Sequence, residues 1–207
     1  MTGRARAAST GEMTSPSRSS ASQTPGLSAH GVRVASDGRV QTWGRVALVA
    51  VLGWLSAPWL GDPALGIPDG TAFLHGLSLG MHETGHLAFA MFGETITVLG
   101  GSLLQLLFPV AFAAHFAWRR QPYAAAVCAW WVAQNGWDVA IYVADARAEE
   151  LPLVGGGEHD WAWLLDRWEL LHADHAIAGV LHHGSSVLAL LALATALVSA
   201  RGADVER

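Results

Sequence analysis

Long apolar runs alternate with short polar or glycine-rich segments along most of this chain. Five runs approach the roughly 20 residues that a helix needs to cross a bilayer, at residues 43–60, 71–92, 96–118, 122–144 and 176–200. Because lipid offers no partner to exposed backbone groups, an open chain must cross it as helices. The pattern therefore predicts an all-α, multi-spanning transmembrane helical bundle of about five spans.

The third run opens with a segment that is unusual for a membrane helix. Residues 93–101 read GETITVLGG, which combines β-branched residues with glycines. Two alternatives follow from this composition. The run is either a full span, or a short extended or re-entrant piece before a helix that starts near Ser102, and irregular backbone at membrane depth requires cover from protein or a wet cavity.

The segment between the fourth and fifth runs has a different pattern. Glycines at 155–157 predict a loop. From Asp160 onward, apolar residues recur at helical spacing, namely Trp161, Leu164, Leu165, Trp168 and Leu171. This spacing predicts one amphipathic helix, which we expect to lie at the membrane interface.

The two ends of the chain lack such runs. Residues 1–42 are rich in Ser, Thr, Ala, Gly and Arg and have few large apolar side chains, so we expect a disordered tail. No apolar stretch follows the early arginines, so this tail does not resemble a signal peptide. The predicted organisation is a disordered tail at 1–42, a membrane-embedded domain at 43–200 and a C-terminal tail at 201–207.

Composition agrees with a membrane protein. Of the 207 residues, 14% are charged, against about 25% in a typical soluble domain. We expect an integral membrane protein in contact with the lipid bilayer, in the plasma membrane of a prokaryote, with its N-terminal tail in the cytoplasm.

The net charge is −5 and no basic stripe is visible, which argues against nucleic-acid binding. The pattern does not indicate an oligomeric state.

Three ionisable residues interrupt the second run, within GMHETGHLAFAMF at 80–92. His82, Glu83 and His86 form an HExxH motif. Residues i and i+4 share one helix face, so both imidazoles can reach one zinc ion, while Glu83 is free to act as a general base toward water. Ionisable groups in a membrane span are costly and usually functional, so we expect a Zn²⁺ cofactor here.

A catalytic zinc site usually has a third protein ligand, which the motif does not supply. Four residues nearer the C-terminus can provide it: Asp138, Asp145, His159 and Asp160. Each also has a structural interpretation. Asp145 can pair with Arg147, Asp160 can cap the amphipathic helix, and Asp138 can be a hydrogen-bonded packing group.

Other histidines have simpler interpretations. His75 lies on the same helical face as His82, about two turns away, and is interpreted as a cavity-lining or interfacial residue. A further patch contains His172, His175, His182 and His183. We interpret this patch as solvated interfacial histidines rather than a second metal site.

Four stretches together resemble the site-2-type intramembrane zinc metalloproteases. They are HETGH, then LAFAMFG, then TITVLGG, and finally LPLVGGGEHDW. In that family an HExGH helix is followed by a Phe-Gly turn and an extended segment, and the third ligand is an aspartate in a later Leu-Asp-Gly type motif. Here the Leu-Pro and the glycines precede His159 and Asp160, so the order differs from that of the family.

The resemblance implies roles for particular residues. It implies His82 and His86 as zinc ligands, Glu83 as the catalytic base and Asp160 as the third ligand, with His159 or Asp145 as substitutes. It also implies an intramembrane zinc-dependent peptidase that hydrolyses peptide bonds of membrane-embedded or membrane-adjacent polypeptides. The alternatives are a zinc hydrolase acting on a lipid or amide, and a non-catalytic metal-binding scaffold or transporter.

Overall fold

The computed structural model describes residues 29–60, 71–153 and 157–202. Within these ranges the chain forms six α-helices, which are α1 (Ala29–Ser56), α2 (Ala72–Phe89), α3 (Glu94–Trp118), α4 (Pro122–Ala144), α5 (Asp160–Arg167) and α6 (Asp174–Gly202). Short 3-10 turns follow α1 and α2 and precede α6, at Ala57–Leu60, Ala90–Phe92 and Leu171–Ala173. No strand occurs in the described ranges, which confirms the predicted all-α class.

In the described part of the chain, three segments are long and apolar enough to cross a membrane, judged by length and composition. They are Gly38–Leu60 in α1, Glu94–Trp118, which is all of α3, and Leu171–Ala200, which is mostly α6. They match the first, third and fifth predicted runs and support an integral membrane protein. The second and fourth runs also form helices, α2 and α4, but their polar residues lower their hydropathy. The prediction of about five spans is therefore not confirmed.

The predicted tails extend only partly into the described chain. Residues 29–42, expected to be disordered, form the first turns of α1. The rest of that prediction, residues 1–28, lies outside the described residues. At the other end, α6 continues to Gly202, and residues 203–207 of the predicted C-terminal tail also lie outside the described part.

The third apolar run is one continuous helix, so the extended or re-entrant alternative is wrong. Only Gly93 departs from helical geometry, with φ 91° and ψ 163°, and such a φ suits a residue without a Cβ. The Thr97 hydroxyl donates to the Gly93 carbonyl oxygen at 2.9 Å. The β-branched residues that follow lower helix propensity only modestly, and packing against α2 outweighs that cost.

The α4 helix lies at the centre of the bundle. It packs against α3 on one side and α6 on the other, and nearly all residues from 133 to 144 are buried. Trp137 stacks on Trp59 with ring centroids 5.8 Å apart. Polar side chains on such a helix must find partners within the protein, because neither water nor lipid reaches them.

The predicted amphipathic helix is present as α5. Its apolar side chains Trp161, Leu164 and Leu165 are buried against α3, α4 and α6. The Trp161 indole nitrogen donates to the Ser102 hydroxyl oxygen at 3.0 Å. This packing fixes the start of α5 against the start of α3, and the position of α5 relative to a bilayer stays a prediction.

Close contact between α2 and α3 depends on three glycines. A Cβ at Gly85 would overlap the backbone carbonyl of Gly100, and a Cβ at Gly100 would lie 2.9 Å from the Gly85 carbonyl oxygen. A Cβ at Gly101 would overlap the imidazole ring of His82. The helices therefore touch backbone to backbone beside the HExxH motif, as small residues allow in membrane proteins.

Replacing Gly85 by alanine tests this contact. We expect Gly85→Ala to destabilise the protein by about 1–3 kcal/mol, because overpacking a rigid contact forces the backbones apart. Gly80→Ala is the matched control in the same helix, since a Cβ there meets nothing within 4 Å. Thermal unfolding in detergent measures both variants, and equal midpoints for the two would contradict the proposed contact.

Candidate metal site

The two histidines of the HExxH motif point at the first residue of α5. His82 Nε2 lies 2.8 Å from Asp160 Oδ2, and His86 Nε2 lies 3.2 Å from the same oxygen. The three potential ligand atoms all lie within 4.8 Å of one another. Residues 78 positions apart in sequence thus meet at one point between α2 and α5.

The other ring nitrogen of His86 faces a group that can only accept. His86 Nδ1 lies 2.9 Å from the Thr97 carbonyl oxygen on α3. A carbonyl oxygen has no proton to donate, so Nδ1 must carry the hydrogen. In the neutral imidazole, Nε2 then presents a lone pair toward Asp160.

His82 is oriented in the same sense by a side chain. Its Nδ1 lies 3.3 Å from Gln105 Oε1, and Gln105 in turn donates from Nε2 to Asp138 Oδ2 at 2.8 Å. With the amide oxygen toward the ring, His82 Nδ1 carries the hydrogen. Its Nε2 then also presents a lone pair at the meeting point.

Three electron-pair donors therefore converge on a space with no counter-charge among the described side chains. Two imidazole lone pairs and one carboxylate oxygen repel one another unless a proton or a metal cation lies between them. Two His nitrogens and one carboxylate are a donor set that catalytic zinc sites use, with a fourth position open to water. The residues fit zinc, and metal binding itself stays a prediction.

The position of Asp160 is set by its neighbours. Its backbone N–H donates to the Tyr142 hydroxyl oxygen at 3.1 Å. The preceding residue, His159, caps α5 by accepting from the Ala162 backbone N–H through Nδ1 at 3.1 Å. The interpretation of Asp160 as the cap is therefore wrong, and its carboxylate is left to face the two histidines.

The two substitute ligands have other partners. His159 Nε2 lies 3.3 Å from Asp145 Oδ2, and Asp145 also accepts from the backbone N–H groups of Glu150 and Leu151, both at 3.0 Å. Burial lowers the pKa of His159, although Asp145 opposes the shift, so the ring is neutral and can accept in the cap. Neither residue joins the His82–His86 group.

Arg147 does not pair with Asp145, so that interpretation is also wrong. Its guanidinium Nε donates to Asp174 Oδ2 at 2.6 Å, which ties the segment after α4 to the start of α6. His175 contacts the same arginine at 3.1 Å. Among the residues that the structure describes, the C-terminal histidine patch joins no group comparable to that at Asp160.

Glu83 and the three converging residues line one cavity of about 400 Å³. Glu83 is exposed, so its carboxylate can contact a molecule that enters. His75 lines the same cavity, as its interpretation as a cavity-lining residue predicted. The other lining residues combine apolar side chains, such as Val98, Val139 and Leu153, with polar ones that include Gln105 and Asp138.

Three supporting residues had no role assigned to them in the sequence analysis: Thr97, Gln105 and Tyr142. Thr97 acts through its backbone, which leaves no signal in the sequence. Gln105 did leave a signal in the sequence, because it is a lone amide within SLLQLLFP and a buried amide in an apolar helix requires a partner.

Comparison of this chain with protein-family models, with curated proteins and with solved structures found no match.

Removing the carboxylate of Asp160 tests the site. We expect Asp160→Asn to lower zinc affinity by more than the ~10- to 100-fold that follows loss of a group supporting a ligand. The double variant His82→Ala, His86→Ala should bind no zinc at this site. Competition with a chelator in detergent-purified protein measures affinity.

Asp166→Asn is the matched control for this measurement. Asp166 is an exposed acid in the same helix, so this change removes the same charge without touching the site. Equal affinities for the two aspartate variants would show that Asp160 is not a zinc ligand. Wild-type zinc content in the double histidine variant would contradict the proposed zinc site as a whole.

Proposed function

We propose that this protein is an intramembrane zinc-dependent peptidase. The observation that carries the proposal is the convergence of His82, His86 and Asp160 beside the carboxylate of Glu83 in one cavity. The sequence resemblance to site-2-type metalloproteases supports the same reading of the HExGH helix. The proposed substrates are membrane-embedded or membrane-adjacent polypeptides.

The proposed chemistry divides between the ion and the chain. Zinc, when bound, lowers the pKa of a coordinated water and polarises a carbonyl group. Glu83 accepts a proton from the attacking water while the water oxygen bonds to the peptide carbonyl carbon. Glu83 then returns that proton to the leaving nitrogen as the C–N bond breaks, so the carboxylate ends as it began.

The proposal also includes the setting of the site. We infer that α2 and α4 lie at membrane depth between the three candidate spans, which would give the expected five crossings. The tail before α1 would be cytoplasmic and the membrane a prokaryotic plasma membrane. The apolar cavity walls support a substrate drawn from lipid, because apolar side chains enter such a cavity from a bilayer without losing water contacts.

One observation favours a second candidate, a zinc hydrolase acting on a lipid or a small amide. The resemblance implies an extended segment at residues 95–101, and α3 is helical there. A peptide bound in extended form would therefore find no strand edge at that segment. The cavity volume of about 400 Å³ lies in the range of small-ligand sites, roughly 300–1,000 Å³.

Replacing the base by its amide tests catalysis without removing a ligand. We expect Glu83→Gln to keep its zinc and its thermal stability while hydrolysis falls by about 10²- to 10⁴-fold, because the amide cannot accept the proton. Fluorogenic transmembrane peptides and fluorogenic fatty-acid amides, both in micelles, serve as probes of the two candidate activities.

Glu94→Gln is the control, since Glu94 is also an exposed glutamate, at the start of α3. Hydrolysis of the peptides alone supports the peptidase, and hydrolysis of the amides alone supports the second candidate. Full activity in Glu83→Gln would contradict the proposed mechanism for either substrate.

A further inference from the structure

A chain of hydrogen bonds leads away from the candidate metal site into the bundle. His82 Nδ1 faces Gln105 Oε1 at 3.3 Å, Gln105 Nε2 donates to Asp138 Oδ2 at 2.8 Å, and Asp138 Oδ1 lies 2.7 Å from His75 Nδ1. The four residues come from α2, α3 and α4. We propose that Asp138 is a positioning residue that sets the tautomer of His82 through Gln105, an inference that rests on the proposed zinc site.

The Asp138 carboxylate fixes the orientation of the Gln105 amide. An ionised carboxylate can only accept hydrogen bonds. The end of the Gln105 amide that faces Asp138 must therefore be the NH₂ group. The other end, the carbonyl oxygen, is then the end that faces His82.

The orientation of the amide decides which nitrogen of His82 carries the hydrogen. An amide oxygen can only accept, so His82 Nδ1 must donate, and Nε2 keeps the lone pair that a metal needs. With the amide reversed, its NH₂ group would face Nδ1. The favoured neutral tautomer would then carry its hydrogen on Nε2, which points at Asp160 and cannot ligate.

His86 does not need such a residue, and the contrast explains why His82 does. The acceptor for His86 is the Thr97 backbone carbonyl, which is fixed in the helix and cannot reverse. The acceptor for His82 is a side-chain amide, whose two ends have nearly the same shape. Only a neighbour that accepts at one end distinguishes them, and Asp138 is that neighbour.

Burial makes one orientation of the Gln105 amide much more favourable than the other. His82, Gln105 and Asp138 are 6%, 3% and 8% exposed. A reversed amide would place its oxygen against the Asp138 carboxylate oxygen, and two buried acceptors without a hydrogen between them are costly. The second oxygen of Asp138 faces His75, so the carboxylate is held at both ends. A Cβ at Gly101 would overlap the His82 ring, so the ring occupies this place only because residue 101 is a glycine.

Two variants separate this positioning role from a general effect on folding. Asp138→Leu keeps similar volume but removes the acceptor, so the amide is free to reverse. We expect zinc affinity to fall by about 10- to 100-fold, the effect of losing a group that supports a ligand. The double variant Gln105→Glu, Asp138→Asn exchanges the two side-chain types, and we expect it to restore affinity close to that of the wild type.

The exchange works because it keeps an acceptor facing each histidine. The new carboxylate at position 105 accepts from His82 Nδ1 and from the new amide at position 138, so only the hydrogen bond between positions 105 and 138 reverses its direction. The new amide still offers its oxygen to His75. Total charge and shape are unchanged, so recovery of affinity reports the acceptor that faces His82 Nδ1.

Asn135→Leu is the matched control. Asn135 is fully buried on α4, one turn before Asp138, and donates to the Trp131 carbonyl oxygen. Zinc affinity is measured by chelator competition, and apo-protein thermal stability is measured alongside. An affinity loss in Asn135→Leu equal to that in Asp138→Leu, or no recovery in the double variant, would overturn the positioning role.

The outcomes also separate this inference from the proposed function. A wild-type protein without zinc affinity would contradict the proposed function. A wild-type protein that binds zinc, with unchanged affinity in Asp138→Leu, would contradict the positioning role alone.

Discussion

Backbone contact between α2 and α3 is the constraint on which the site depends. Gly85 lies inside the HExxH motif, and the backbones can meet there only because Gly85 and Gly100 lack a Cβ. The close approach brings the Thr97 carbonyl to His86 and the Gln105 side chain to His82. A wider separation would leave both imidazoles without acceptors, and neither ring would have a defined tautomer.

Burial of polar groups in an apolar bundle then determines the rest. The α4 helix supplies Asp138, which accepts a hydrogen bond from Gln105 on α3. It also supplies Tyr142, one turn later, whose hydroxyl oxygen accepts from the backbone N–H of Asp160. Each of these groups would be costly without a partner, since lipid offers none. His75, His82, Gln105 and Asp138 therefore form one connected set across α2, α3 and α4, and that connection positions the cavity-facing atoms.

The segment after the HExGH motif departs from what the sequence resemblance predicted. That resemblance predicted an extended segment, whereas residues 94–101 are helical. The departure has a local cause. Gly93 completes the turn by itself, and the Thr97 hydroxyl returns to its carbonyl, so helix geometry resumes at once and packs against α2. A polypeptide substrate bound in extended form would need a strand edge at residues 94–101, whereas a lipid or a small amide would not.

Periodicity and composition by themselves determined the helical class, the positions of the apolar runs and the pairing of His82 with His86. These features follow from local spacing, which a helix translates directly into a shared face. Asp160 was one of four candidate third ligands among the residues, and the resemblance placed it first. Only tertiary structure separates it from Asp138, Asp145 and His159, because each of the four is a chemically suitable ligand. The hydrogen bonds that occupy His159 and Asp145 decided that choice, since they depend on how the chain folds around α5 and not on which residue types are present in the sequence.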